Sequence, residues 1–255
     1  MRSLTYLEID VPYYLFHYNV ALLHFDGADA STVFIDECGN TWTRDGLAEL
    51  DTASFKFGGS SFRCSGTWDI ETVDADRFAL NDSDFTVDSW FSCTEVTGQE
   101  SAICGHSSNP LVNTDTSFYI YRTTGNFIRA RAYVGSTLYE VTGTTQFTNL
   151  LNAGWHHLAF VRHDGFLRLY IDGIEEGNVA IAGSINNSAG ELSIGSVGTG
   201  TSINLWEGHL DEFRFAIGLA RWKKAFTPPT AAEPELETFR FAIDTNYLPA
   251  DIDAI

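Results

Sequence analysis

Short runs of β-branched and aromatic residues, separated by clusters of Gly, Asn, Asp and Ser, make up most of this 255-residue chain. The helical pattern, with an apolar residue every three to four positions, is almost absent. Such runs form strands joined by turns, and about a dozen strands need two packed sheets to bury their inner faces. The sequence therefore predicts an all-β fold, a two-sheet antiparallel β-sandwich.

The clearest hairpin joins the alternating runs 155–162 and 166–171. Asp164 and Gly165 lie between them, and an Asp-Gly pair suits the positive φ angles of a two-residue hairpin turn. We therefore expect these two runs to be neighbouring antiparallel strands.

In the strand-like run 127–134, Arg129 and Arg131 alternate with apolar residues, so both arginines fall on the same face. A strand face that carries two charges is not part of a core. We expect this face to be solvated or to line a groove.

The charge balance excludes two classes of partner. The chain has 15 Lys plus Arg against 34 Asp plus Glu, a formal charge of −19. Nucleic acids and anionic membranes are bound mainly through clustered cations, so neither is expected as a partner.

No apolar run approaches the ~20 residues of a membrane helix. The first ten residues carry two acids and do not resemble an export signal, so we expect synthesis in a cytoplasm.

Four cysteines leave two alternatives open. Cys38, Cys64, Cys93 and Cys104 have no C-x-x-C spacing, which argues against zinc-ribbon and thioredoxin-like sites. Either all four are reduced and mostly buried, or Cys93 and Cys104 form a disulfide between consecutive strands.

The two ends differ from the middle of the chain. Residues 1–19 are rich in aromatics and 231–255 are acidic, so we interpret both as arms on a central domain, 20–230. The sequence Phe-Arg-Phe-Ala-Ile at 213–217 recurs at 239–243. The second copy is either an ordinary strand or one that docks on a sheet edge through backbone hydrogen bonds.

The chain resembles the laminin G-like jelly rolls of the concanavalin A-like lectin/glucanase fold. The resemblance rests on seven segments that occur in the order typical of that family. They are 22–27, 56–61, 85–90, 155–162, 169–173, 192–195 and 208–214. It implies a concanavalin A-like jelly roll over 20–230, with short N- and C-terminal arms.

The closing segments 220–222 and 226–230 resemble the versions found in bacteriophage tail and receptor-binding proteins. This resemblance implies a virion protein, associated with a tail or fibre, whose arms 1–19 and 231–255 contact neighbouring subunits in a homo-oligomeric assembly. The jelly roll would then bind a host-surface glycan. The alternative is a decoration or joint protein of the virion that has no sugar ligand.

An enzyme is not expected. A retaining glycosidase needs two carboxylates about 5–5.5 Å apart, and glucanases of this fold carry them on one strand as Glu-x-Asp-x-x-Glu. Only Glu8 and Asp10 match the first half of that motif. Strand alternation predicts that Asp211 and Glu212 point to opposite faces and so cannot act as a pair. Degradation of a polysaccharide is therefore the least favoured function.

His156 and His157 are also adjacent, so one should face the core and the other the solvent or a groove. We expect structural roles for both.

Calcium is the favoured metal, because Asp-Gly loops bring hard oxygen ligands together. The resemblance implies a site near the first and last strands of the pattern, at Asp26 and Asp211. In the alternative, Asp26 caps a turn beside Gly27 and Asp211 hydrogen-bonds a neighbouring loop.

Sugar binding would need an exposed aromatic ring, and the sequence does not identify one. Trp90 and Trp155 lie inside strand-like runs and are expected in the core. Four other tryptophans flank turn-like segments and are the remaining candidates: Trp42, Trp68, Trp206 and Trp222.

Overall fold

Two packed sheets build the molecule. The computed structural model describes residues 17–65, 69–93, 98–148, 152, 154–198 and 204–234. Within these residues, sixteen strands form two eight-stranded sheets, and the only helical elements are two short 3₁₀ turns. All strand pairs are antiparallel except one short parallel bridge. The predicted all-β antiparallel sandwich is confirmed.

Sheet A contains the first and the last strands described. Its members are β1 (Asn19–Leu23), β3 (Glu49–Asp51), β4 (Ser61–Ser65), β6 (Phe85–Cys93), β11 (His156–His163), β12 (Phe166–Ile171), β13 (Ile174–Ala180) and β16 (Glu207–Ile217). Their order across the sheet is β13-β12-β11-β6-β16-β4-β3, and β1 also pairs with β16.

Sheet B is built from the remaining strands. They are β2 (Thr43–Asp45), β5 (Asp69–Thr72), β7 (Ser101–Ser107), β8 (Thr116–Arg122), β9 (Phe127–Val134), β10 (Thr137–Gln146), β14 (Leu192–Ile194) and β15 (Asn204–Leu205). The order is β10-β9-β8-β7-β14-β5-β2, and β15 pairs with β7.

The core lies between the sheets and is filled by large apolar side chains. Phe85, Phe91, Phe118, Phe160 and Phe213 are all fully buried there. Ring pairs across the core, such as Phe118 of sheet B with Phe215 of sheet A at 5.4 Å, meet edge to face, an arrangement that aromatic rings favour. The described residues contain no helix of the length and apolarity that a membrane span requires.

The predicted hairpin is confirmed. Strands β11 and β12 pair from Leu158 opposite Ile171 to His163 opposite Phe166. Asp164 and Gly165 form the turn between them with φ angles of 51° and 73°. Both residues therefore have the positive φ that a two-residue hairpin of this type requires.

All four cysteines are free thiols. Cys93 lies in β6 of sheet A and Cys104 in β7 of sheet B, and both point into the core. Burial raises the pKa of Cys93 to about 11. The structure thus has the reduced, buried cysteines of the first alternative.

A segment that we call the strap, residues 219–234, covers the outer face of sheet A. Its Trp222 and Phe226 stack at 4.1 Å with an interplanar angle of 8°. Their rings meet His157 and Tyr170 on the sheet edge-on. The strap therefore closes this face with apolar and aromatic contacts.

The predicted arms 1–19 and 231–255 lie mostly outside the described residues, as does the second Phe-Arg-Phe-Ala-Ile copy at 239–243. The arms and the docking of that copy stay predictions. The described residues of the second arm, 231–234, belong to the strap.

Candidate functional site

The outer face of sheet B carries a group of partly exposed polar side chains. We call it the Arg-Tyr patch, and define it as Tyr119, Tyr121, Arg129, Arg131, Glu140 and Thr142. The side chains of Arg129, Arg131 and Glu140 are 26%, 21% and 32% exposed. This confirms the prediction that the Arg129 and Arg131 face lies outside the core.

Alternation places the patch residues on one face. In β9, Ile128 and Ala130 point into the core, so Arg129 and Arg131 point outward. The pairing register places Tyr119 of β8 directly opposite Arg131 of β9. Arg131 is in turn opposite Glu140 of β10. The patch is thus a cross-strand array on a rigid sheet.

Hydrogen bonds fix both guanidinium groups. Arg131 donates from Nη1 to Tyr119 Oη at 2.6 Å and from Nε to Glu140 Oε2 at 2.8 Å. Arg129 donates from Nε to Thr142 Oγ1 at 2.7 Å and from Nη1 to Tyr121 Oη at 3.2 Å. Each arginine is therefore held by two neighbours before any ligand arrives.

Tyrosine rings form the floor beneath the arginines. Tyr119 and Tyr121 lie 5.2 Å apart, and the Arg131 guanidinium is 5.1 Å from the Tyr121 ring centroid. Both rings are almost completely buried, and Val197 packs on them from a neighbouring loop. Gly105 makes this approach possible, because a Cβ there would lie 2.4 Å from Val197 Cγ2.

The surroundings of Tyr121 and Arg131 shift the pKa values of both side chains upward. Burial raises the pKa of Tyr121 to about 12, so its hydroxyl stays neutral. Burial alone would lower the pKa of Arg131, but its bonds to Tyr119 and Glu140 raise it above the usual value. The patch therefore presents two permanent positive charges beside one carboxylate.

The opposite half of the same sheet face is acidic. Asp69 and Glu71 are two residues apart in β5 and flank the core residue Ile70, so both point outward. Asp45 of β2 is directly opposite Asp69. Burial raises the pKa of Asp69, and burial followed by the charge of Glu191 raises the pKa of Glu71. Asp69 is largely buried and accepts a hydrogen bond from the Ser196 hydroxyl.

The outer face of sheet A holds a second polar cluster, which the strap closes. Arg214 donates to both oxygens of Asp88, from Nε at 2.9 Å and from Nη2 at 2.6 Å, and to Glu233 at 2.6 Å. Arg221 donates twice to Glu233, at 2.9 and 3.1 Å. These charges satisfy one another. Asp88, Arg214 and Glu233 line a small pocket at this place.

The structure brings Asp26 and Asp211 to one loop. Asp211 accepts backbone N–H bonds from Lys56 at 2.7 Å and Phe57 at 3.1 Å, and from Glu212 at 2.9 Å. The Asp26 carboxylate lies against Gly58, where a Cβ would be 1.8 Å from its Oδ1. Asp211 therefore makes the loop hydrogen bonds of the alternative prediction.

This donor set does not fit calcium. Three N–H dipoles point at the Asp211 carboxylate and would repel a cation placed against it. In the described part of the chain, no group of three or more His, Cys, Asp or Glu is arranged to hold a metal ion. Calcium at Asp26 and Asp211 stays a prediction from the sequence.

One expectation about carboxylates is wrong. Asp211 is opposite Trp90 and Arg214 is opposite Asp88, so β16 has one extra residue there, a β-bulge. The bulge breaks the alternation and turns Glu212 to the outer side as well. Both oxygens of Glu212 lie 3.0 Å from His24 Nδ1.

The adjacent histidines project to opposite faces, as predicted. His157 is buried under the strap and lies 3.2 Å from Asp88. His156 contacts the core ring of Phe91 and lies 2.6 Å from Asp172. Both roles are structural contacts within the sandwich.

None of the described tryptophans offers an open ring on the Arg-Tyr patch. Trp206 is fully buried in the core and Trp42 donates to Asp36. Trp90 is buried, yet on the outer side, under the Lys56 ammonium at 3.8 Å. Trp222 belongs to the strap, and Trp155 is half-buried beside His209. Trp68 lies outside the described residues.

The family follows from comparison with known proteins. Residues 66–227 match a laminin G-like family model described as "Concanavalin A-like lectin/glucanases superfamily". The match covers more than half of the sequence. The chain belongs to this superfamily. A search of curated proteins finds no significant match.

Solved structures with a similar fold include two binding domains. The binding domain of Paraclostridial Mosquitocidal Protein 1 has a TM-score of 0.59 and 15% identity, over 84% of this chain and 50% of that one. The botulinum neurotoxin DC binding domain was solved in complex with SialylT. It has a TM-score of 0.56 and 14% identity, over 78% of this chain and 47% of that one. This chain thus spans about half the length of each.

A third similar structure is a domain of an enzyme. Domain 4 of AbnA, a GH43 extracellular arabinanase from Geobacillus stearothermophilus, was solved in complex with arabinotriose. It has a TM-score of 0.56 and 18% identity, over 78% of this chain and 92% of that one. At these identities the likeness establishes the fold.

Four patch residues were not predicted from the sequence, namely Tyr119, Tyr121, Glu140 and Thr142. A usable signal exists, because short turns follow β8 and β9 and fix the register of the hairpins. Outward Tyr and Arg positions on successive strands could then be aligned by counting from each turn.

Proposed function

We propose that this chain is a non-enzymatic carbohydrate-binding module that contacts its ligand through the Arg-Tyr patch. The observation that carries the proposal is the array of planar polar side chains on the open face of sheet B. Arg129, Arg131 and Glu140 are partly exposed and held in place by their neighbours. Planar groups of this kind bind sugar hydroxyls without a large loss of side-chain entropy.

Membership of the lectin/glucanase superfamily supports this proposal. Two of the similar structures were solved in complex with ligands, arabinotriose in one and SialylT in the other. These ligands belong to those proteins, and they motivate a screen of sugars with this chain.

The test is a glycan panel probed with the whole chain and with Arg131→Gln. We expect binding to a subset of glycans, weakened about tenfold or more by the substitution, because a charge-assisted hydrogen bond is lost. The matched control is Arg44→Gln, which removes one exposed arginine from β2 of the same sheet. A folded chain that binds nothing on a broad panel would refute the proposal.

One observation favours the alternative of a structural protein without a sugar ligand. Tyr119 and Tyr121 lie under the arginines and Val197, so the patch lacks an open aromatic ring. The two proposals differ in one result: tight incorporation into an assembly without glycan affinity supports the structural function.

Catalysis is the least favoured proposal. Glu71 is partly exposed, but Asp69 is buried and hydrogen-bonded to Ser196, so it is poorly placed to attack a substrate. We expect no release of reducing ends from polysaccharides. Release that disappears in Glu71→Gln would contradict this.

We further propose that the protein is part of a bacteriophage virion, linked to neighbouring copies through residues 1–19 and 231–255. The proposal rests on the resemblance of 220–222 and 226–230 to phage tail proteins. Mass spectrometry of purified particles tests it, and absence of the chain from every particle fraction would refute it.

A further inference from the structure

Arg129 and Arg131 are neighbouring outward-facing residues of β9, and the guanidinium group of each leaves one nitrogen unused. Arg214 and Arg221 are turned to carboxylates on the closed side of sheet A. Arg162 donates from both Nη atoms to backbone carbonyls. By contrast, among the contacts of the described residues, Nη2 of Arg129 and of Arg131 has no protein acceptor.

The two side chains are partly exposed, 26% for Arg129 and 21% for Arg131. The Nε and Nη1 atoms of both arginines donate hydrogen bonds to Tyr119, Tyr121, Thr142 and Glu140. The guanidinium groups are therefore already ordered before a ligand binds. A pre-ordered pair of charged donors matches an acceptor that carries negative charge on two oxygens, such as a carboxylate.

Nearby acids set a limit on the size of such a ligand. Glu140 faces both arginines, and Glu100 acts on Tyr121 from the β7 side. Farther across the face, Asp69 and Glu71 lie in β5, four strands from β9. At ~4.8 Å per strand this is about 19 Å, beyond the ~8 Å Debye length at physiological salt.

The acids of β5 therefore do not neutralise the arginine pair, but they repel a polyanion long enough to cross the sheet. Resting on the proposed carbohydrate binding, we infer that the Arg-Tyr patch recognises a single carboxylate-bearing sugar unit, and not a continuous polyanion, through Arg129 and Arg131.

The experiment compares three probes by calorimetry with the whole chain. They are an oligosaccharide that ends in one glucuronate, the same oligosaccharide with that carboxyl reduced to an alcohol, and a long polygalacturonate. We expect the glucuronate-ended form to bind about tenfold or more tighter than the reduced form. We expect polygalacturonate to bind more weakly per accessible site than the single acidic unit.

Variants assign the preference to the two arginines. Arg129→Gln and Arg131→Gln should each bind the acidic and reduced forms nearly equally, while Arg44→Gln, which loses the same charge from β2, should keep the wild-type ratio. Circular dichroism verifies that each variant is folded, and the wild-type ratio is informative even if one variant is not.

Equal binding of the acidic and reduced forms by the wild type would overturn this inference and leave the proposed carbohydrate binding intact. A ratio that Arg44→Gln also abolishes would overturn it too, because general charge would then explain the preference. Tighter binding of polygalacturonate would overturn the limit on size. Binding of no sugar at all, on the broad panel as well, would remove the proposed function itself.

Discussion

His24 shows how one buried residue couples stability to pH. Its Nδ1 lies 3.0 Å from both carboxylate oxygens of Glu212, and its side chain is 9% exposed. Burial lowers the pKa of His24, but the bond to Glu212 and the charges of Glu212, Glu37 and Asp26 raise it more, so the net pKa lies above 6.5. The folded state thus holds this proton more tightly than the unfolded chain.

The sign of the effect follows from linkage. A raised pKa in the folded state adds stability below the unfolded value of 6.5. This contribution is lost as the pH rises through the folded pKa. We therefore predict that His24→Gln reduces the fall in unfolding free energy between pH 6 and pH 8.5, measured by urea titration. A variant that keeps the full wild-type difference between the two pH values would contradict this coupling.

Asp211 of β16 holds the loop 56–59 in place, and its removal should lower the free energy of unfolding. Its carboxylate is the acceptor for the backbone N–H groups of Lys56, Phe57 and Glu212. Asp211→Ala leaves these donors without a partner, and we predict a loss of about 2–4 kcal/mol in unfolding free energy. Asp76→Ala, at an exposed aspartate, should change it by less than about 0.5 kcal/mol. Equal losses would contradict the assigned role.

At the scale of elements, two hairpin glycines allow a matched test of the strap. Gly165 ends the β11–β12 turn and Gly173 the β12–β13 turn, with φ angles of 73° and 77°. A Cβ at Gly173 would lie 1.8 Å from the carbonyl oxygen of Phe226 in the strap. At Gly165 the nearest such atom is 3.9 Å away. The backbone conformation is thus the same, and only the neighbour differs.

We predict that Gly165→Ala costs about 1–2 kcal/mol, which is the strain of a left-handed conformation. Gly173→Ala should cost about 1–3 kcal/mol more, because the strap must also move away from the hairpin. Urea unfolding of the two variants measures the difference. Equal losses of unfolding free energy in the two variants would mean that the strap can move away from the hairpin without destabilising sheet A.

Local sequence chemistry accounts for much of the fold and less of the site. Asp164-Gly165 predicts its hairpin because only residues that tolerate positive φ suit that turn. Alternation in β9 likewise predicts the outward Arg129 and Arg131. The outward turn of Glu212 could not be predicted, because a bulge is set by pairing with β6, which is distant in sequence.

At the scale of the whole molecule, the described chain ends share one side of the sandwich. Asn19 pairs with Ala216 in sheet A, and Leu22 borders the same pocket as Ala231 and Glu233. The Arg-Tyr patch lies on the outer face of the other sheet. The described residues nearest the two ends therefore lie on the sheet A side, opposite the face that carries the patch.

The placement of Glu233 decides where an arm can be removed. Arg214 is only 3% exposed and is held by Asp88 and Glu233, while Arg221 adds a like charge beside it. Removal of 235–255 keeps Glu233, so we predict a small change in unfolding free energy together with loss of assembly. Removal of 231–255 should cost about 3 kcal/mol more, because a buried arginine loses one of its two carboxylates. Glu233→Ala in the full chain should reproduce most of that difference, and equal stability of the two truncations in urea would show that the pair does not hold the strap in place.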